Sequence, residues 1–223
     1  MLVLAGLGNP GPRYARNRHN VGFEIVAALA EAARAPAWRE KFQAELARCT
    51  LGTTESLLIR PLTFMNESGR SIQAALAFFR LSPADLVVVH DELDLPFGTL
   101  RIKVGGGHAG HNGLRSIVEC LGSSDFARLR VGIGRPPPGF TGDVADYVLS
   151  DFSPDERAAL PEITDKGVKA LRDIAMRGVA AASNSLNARP KPPKAPVAPA
   201  PDRAHESAPA GGGSQPPPHP PRS

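Results

Sequence analysis

Short apolar runs rich in β-branched residues alternate along this chain with stretches whose apolar positions recur every three or four residues. That alternation narrows the possible folds more than any other feature. Leu2–Leu7, Phe42–Cys49, Ser56–Arg60, Asp85–Val89, Leu100–Val104 and Leu129–Ile133 read as strands. Between them, Val21, Ile25, Leu29 and Ala32 form one helical stripe behind Asn20, which is suited to cap it. Ile72, Leu76 and Phe79 form another within Ser68–Phe79. His111–Leu121 predicts a third helix, and Pro154–Asn187 a long C-terminal helix preceded by a short one. Strands interleaved with helices imply a single α/β domain, with a central mixed, mostly parallel sheet flanked by helices on both faces.

The pattern stops at residue 187. Twelve of the 36 residues from 188 to 223 are proline, and almost none is large and apolar. Such a segment cannot bury enough surface to offset its ordering entropy, so a disordered tail is expected there. It carries five basic and two acidic residues, which leaves 21 and 20 for residues 1–187. The positive charge is therefore mostly a tail property, and only local clustering can argue for nucleic acid. Two isolated cysteines, Cys49 and Cys120, make no disulfide framework. The apolar N-terminal run is too short for a signal peptide or membrane span. A cytoplasmic protein is expected.

The stretch from His90 to Pro96, His-Asp-Glu-Leu-Asp-Leu-Pro, follows a buried strand and leads into a turn at Gly98. In open α/β sheets, ligands bind beyond the carboxyl ends of the strands. A carboxylate placed there either holds a metal or orients an imidazole from elsewhere; Asp91 is read in the second role. His19 stands at a helix entrance, where the dipole favours the neutral imidazole that a general base requires. Phe64, Met65 and Asn66 open a helix and suit a pocket wall carrying one amide. Gly105-Gly-Gly-His108-Ala-Gly-His111-Asn112-Gly113 is flexible yet rich in polar side chains, as befits a loop over a polymeric or phosphorylated ligand. Arg101 and Lys103 share one strand face, as do Arg128 and Arg130, and such faces could hold phosphates.

Two other chemistries remain open on these residues. Gly6-Leu-Gly-Asn-Pro-Gly11 spells a dinucleotide fingerprint, although Pro10, Pro12 and the polar run to Arg18 delay the following helix. His90, Asp91, His108 and His111 could surround zinc, but without cysteine ligands.

Taken together, Gly6-Leu-Gly-Asn-Pro-Gly, Tyr14, Arg18-His-Asn, Thr63-Phe-Met-Asn, His90-Asp-Glu-Leu-Asp, the glycine-rich stretch from Gly105 to Gly113, and Arg128-Leu-Arg-Val-Gly-Ile-Gly-Arg-Pro resemble the bacterial-type peptidyl-tRNA hydrolase family. The motifs come in the family's order and span nearly all of residues 1–187. The resemblance implies a single α/β domain and an esterase that frees tRNA from a peptide without a cofactor or metal. It implies His19 as base, Asp91 as its supporting acid, and Asn9 as the group that tells blocked from free amino groups. Tyr14, Phe64, Met65, Asn66, His111 and Asn112 would contact the substrate; the clustered Arg101, Lys103 and Arg130, read from their strand faces, would meet its phosphates. The expected partner is the acceptor stem and 3′ end of peptidyl-tRNA, met by a monomer away from any membrane. A non-catalytic RNA-binding protein on the same fold is the alternative.

Overall fold

Strand β1 (Leu2–Gly6) is the middle of a seven-stranded mixed sheet, seen in a computed structural model that describes residues 1–188. The others are β2 (Arg39–Lys41), β3 (Ala44–Leu51), β4 (Thr54–Pro61), β5 (Leu86–Glu92), β6 (Leu100–Val104) and β7 (Ala127–Gly132), in the order β2-β3-β4-β1-β5-β7-β6. The central four, β4, β1, β5 and β7, run parallel. Antiparallel pairing adds β3 and β2 on one margin and β6 on the other. Parallel strands are buried on both faces and so read as unbroken apolar runs; every residue of β5 is buried.

Alternate residues feed two cores. Leu4, Val87, Val89 and Leu129 pack with α1 (Val21–Ala32) and α5 (Pro154–Arg177) on one face. Val3, Ala5, Leu86 and Val88 meet α2 (Ser68–Phe79) and α3 (Asn112–Leu121) on the other. A glycine of β1 and one of α1 serve this packing. A Cβ on Gly6 would lie 2.3 Å from the Gly22 carbonyl oxygen, and one on Gly22 would lie 2.4 Å from that of Val89. Helix α1 therefore rests backbone against backbone on β1 and β5.

Some expected boundaries move. Strand β5 continues through the charged residues to Glu92, because β7 goes on pairing with it as far as Gly132. The C-terminal helix breaks at Gly178, at φ +80°, into α5 and α6 (Val179–Asn187); the short helix before them is α4 (Val144–Val148). Edge strand β2 has all three residues exposed, so no apolar pattern announced it. At the other edge the Asn187 amide accepts from the Ile102 N–H (3.0 Å) and donates to its carbonyl (2.8 Å), much as a neighbouring strand would. Among the described residues no helix is long and apolar enough to cross a membrane. Apart from Ala188, the expected tail lies outside the described residues.

Candidate active site

Beyond the carboxyl ends of β1 and β5 lies a cleft of about 610 Å³. That is the size and place expected of a ligand site in such a sheet. Asn9, Tyr14 and His19 reach it from the segment after β1, and Phe64, Met65 and Asn66 from the turn before α2. Asp91 enters from the end of β5, and His111 and Asn112 from the start of α3. Residues more than a hundred positions apart in sequence are thus gathered around one opening.

At its base the His19 Nδ1–H donates to Asp91 Oδ1 at 2.7 Å, and the His111 Nε2–H donates to the same oxygen at 3.1 Å. Asp91 is 3% exposed. Burial alone would raise its carboxyl, but the charges and hydrogen bonds of His19 and His111 outweigh it and hold Asp91 well below the usual carboxylate range. An ionised carboxylate only accepts, so both imidazoles turn a proton toward it. Among the described residues His19 Nε2 has no partner, and it carries the free lone pair. His111 Nδ1 also accepts, capping α3 through the Gly113 (3.1 Å) and Leu114 (3.3 Å) N–H groups. The two imidazole rings lie 4.9 Å apart.

The proton pattern bears on metal chemistry. His19, Asp91 and His111 are close enough to share an ion. Ligation through His111 Nε2 would need that nitrogen bare and Nδ1 protonated, which sets a proton against two N–H groups of the helix cap. The zinc grouping suggested by spacing does not assemble. His90 turns away from the cleft and donates Nδ1–H to the Asp91 carbonyl at 2.7 Å. Burial, then the charge of His111, pushes His90 down to about 3.

Asn9 is held by a second network. Its backbone N–H donates to Asn20 Oδ1 (2.8 Å), and its carbonyl accepts from Asn20 Nδ2 (2.9 Å). Asn20 therefore clamps the glycine loop and makes no side-chain cap on α1, contrary to the role read from its position. Asn9 Oδ1 accepts from the Met65 N–H at 2.8 Å. The side chain thus shows the cleft an N–H₂ donor, with its acceptor already taken. The fingerprint-like glycines serve this clamp and the packing of α1, which starts only at Val21; no helix opens directly from the loop as a dinucleotide site requires.

Phe64 is 55% exposed and meets Tyr14 edge-on at 6.5 Å, giving the cleft an aromatic lip. The side-chain amides of Asn66 and Asn112 make no hydrogen bond elsewhere among the described residues. The opposite wall is α4 and its end, through Val144, Ala145, Val148 and Leu149. Nothing in the local sequence marked these four; two exposed aliphatics, Val144 and Leu149, are the one trace they leave.

The basic residues of β6 and β7 stand apart from the cleft. In the β6–β7 register Arg101 is opposite Arg130 and Lys103 opposite Arg128, so four cations share one sheet face. Arg130 Nε pairs with Glu92 at 2.8 Å. Arg128, nearly fully buried, donates to the carbonyls of Gly106 and Gly107 at 2.7 Å each and ties down the glycine loop. Arg101 leans toward the end of α6, reaching the Leu186 carbonyl at 3.5 Å. Lys103 and Arg130 line a small cavity beside His108.

Comparison with known proteins agrees with this architecture. A family model described as peptidyl-tRNA hydrolase matches residues 3–194. The peptidyl-tRNA hydrolase of Sorangium cellulosum is 56% identical over 194 residues, covering 87% of each chain. That of Frankia alni is 47% identical, covering 83% of this chain and 93% of its own. A crystal structure of peptidyl-tRNA hydrolase from Acinetobacter baumannii superimposes with a TM-score of 0.78 at 35% identity, over 84% of this chain and 95% of that one. With so much of its length matched, the chain belongs to the peptidyl-tRNA hydrolase family.

Proposed function

We infer that this protein is an esterase that cleaves the bond between a peptide and the 3′-terminal ribose of peptidyl-tRNA, returning free tRNA to translation. The observation that carries the reading is the His19–Asp91 pair, because it commits Nδ1 and leaves Nε2 as a base facing a cleft of suitable size.

In the proposed reaction Nε2 takes a proton from water as its oxygen attacks the ester carbonyl. Asp91 fixes the tautomer and stabilises the imidazolium that forms. The oxyanion of the tetrahedral intermediate is met by a free amide, for which Asn66 is the candidate. Collapse breaks the bond to the ribose oxygen, which leaves with the proton from His19. The residues supply base, orientation and oxyanion donor, so the proposal assigns no metal or cofactor. His111, the second donor to Asp91, helps hold the carboxylate in place.

Asn9 distinguishes substrates as a donor. A peptidyl or N-acyl group offers it a carbonyl oxygen. A free aminoacyl group presents an ammonium, and facing that with N–H₂ leaves both donors unpaired and desolvated. Tyr14, Phe64, Met65 and Asn112 line the path of the substrate. For the tRNA we assign Lys103, Arg130 and Arg101 to phosphates of the acceptor stem. Like charges opposite one another are unfavourable unless something neutralises them. Phosphates would do so without reading bases. The cleft is complete within one chain, so we take the monomer as the working unit, acting in the cytoplasm where peptidyl-tRNA arises.

The test is incubation of the purified protein with N-acetylaminoacyl-tRNA and with aminoacyl-tRNA. Free tRNA should appear from the first far faster than from the second. Binding without release would make the protein an RNA-binding relative on the same fold.

A further inference from the structure

Immediately before His19, Arg18 is buried although it carries a full charge. Its guanidinium donates from one nitrogen to Ser150 Oγ (2.7 Å) and the Asp151 carbonyl (2.5 Å), and from the other to Glu156 Oε2 (2.6 Å). It lies 4.4 Å from the ring centre of Tyr147 and 5.4 Å from that of Phe152. Two neighbouring bonds run the same way: Arg18 N–H to the Ser150 carbonyl (3.0 Å) and Asn17 Nδ2 to Asp151 Oδ1 (2.8 Å). These partners lie on α4, on its connection to α5 and on the first turn of α5.

A buried ion pair is not in general stabilising compared with an apolar replacement, so stability alone does not account for a guanidinium here. Its position does. The turn Arg18–Asn20 carries the imidazole that meets Asp91. Helix α4 has five residues, too few to hold its shape unaided, yet it forms one wall of the cleft. Of the groups fastening α4, Tyr147 OH bonds the Ile133 carbonyl (3.0 Å), and the Arg18 fork joins the end of α4 to the histidine turn. We propose that Arg18 is a positioning residue: it locks the turn bearing His19 to the α4–α5 connection, and so keeps the base and the opposite wall of the cleft in one register. This rests on the hydrolase reading above.

The experiment uses the full chain and N-acetylaminoacyl-tRNA. Wild type must first release tRNA; if it does not, the hydrolase reading fails, independently of Arg18. Arg18→Lys keeps the charge but lacks the planar fork. Displacing a catalytic group by about 1 Å can cost ~10²-fold. The expected result is a fall in kcat of about 10- to 100-fold with KM changed only a few fold, in a protein with a dispersed amide NMR spectrum. The ring N–H proton of His19, bonded to Asp91, should shift in the same variant. Ser150→Ala removes one acceptor of the fork and leaves Arg18 in place; it should move both readouts in the same direction by less, and it decides the matter if Arg18→Lys does not fold. A folded variant with a lower Tm but wild-type kcat and an unmoved His19 resonance would overturn the proposal, leaving Arg18 as a structural tie alone.

Discussion

At Asp91 two imidazole N–H groups converge on one carboxylate oxygen, and the expected effects of substitution follow from which proton is lost. His19→Ala removes the base and should lower kcat by ~10²–10⁴-fold while leaving tRNA binding nearly unchanged, measured by turnover and by filter retention. A variant keeping half the wild-type activity would overturn the assignment. Asp91→Asn keeps the shape but not the charge that supports the imidazolium, so kcat should fall about a hundredfold or more with KM little altered. Asn9→Ala removes the donor held out by Met65 and Asn20. It should cut kcat/KM for N-acetylated substrate by roughly 5- to 150-fold, the worth of a buried polar contact of ~1–3 kcal/mol, and affect the unblocked substrate much less. An unchanged ratio of the two rates would place discrimination elsewhere in the cleft.

Strand β5 runs from four buried apolar residues into buried His90, Asp91 and Glu92, and its behaviour in acid follows. His90 is native at about 3 against an ordinary 6.5, first because of burial. Below pH 6.5 the unfolded chain takes up a proton that the native strand refuses, so His90 subtracts stability as pH falls toward 3. At pH 5 that amounts to about 2 kcal/mol. His90→Gln should therefore shrink the loss of unfolding free energy between pH 7 and pH 5 by about that amount, as read from urea titrations at the two pH values. An unchanged difference would mean that His90 is hydrated or charged in the folded protein. On the neighbouring helix, Gly22→Ala places a methyl group 2.4 Å from the Val89 carbonyl oxygen. Backbone cannot yield as a flexible side chain can, so the helix must lift from the sheet, at a cost of about 1–3 kcal/mol or more.

Across the whole molecule, charge is arranged by location. Residues 1–187 are nearly neutral, yet the face of β6 and β7 gathers four cations. If phosphates dock there, kcat/KM should fall with added salt, and Lys103→Ala should lower the steepness of that dependence by about one charge while sparing kcat. A salt dependence identical to wild type would move the tRNA contact off this face. Both cores and the cleft lie within residues 1–188, so a chain ending at Ala188 should match the full protein in Tm and in activity on a minimal substrate. Ending it at Gly178 would take away α6 and the Asn187 cover of β6, and should lower Tm by several degrees.

The sequence by itself determined the class of fold, because burial on both faces of a parallel strand demands unbroken apolar runs such as Leu86–Val89, and helices between them demand a 3.6-residue stripe. It also marked His19, Asp91 and the glycine loop as places where polar residues interrupt those patterns, and the ordered motifs pointed to Asn9. Three things were decided only by the tertiary structure. Asn20 satisfies the requirements of a cap, and only the approach of the Asn9 backbone shows that its amide is spent there. His111 needed the fold to bring α3 over β5 before its two nitrogens could be assigned one to the helix cap and one to Asp91. Arg18 and α4 carry no periodic signal, since a lone buried cation and a five-residue helix acquire meaning only from partners more than a hundred residues away. Hydrophobic spacing is written locally along the chain; the protonation and orientation of a site depend on which distant groups meet, and that is set by packing.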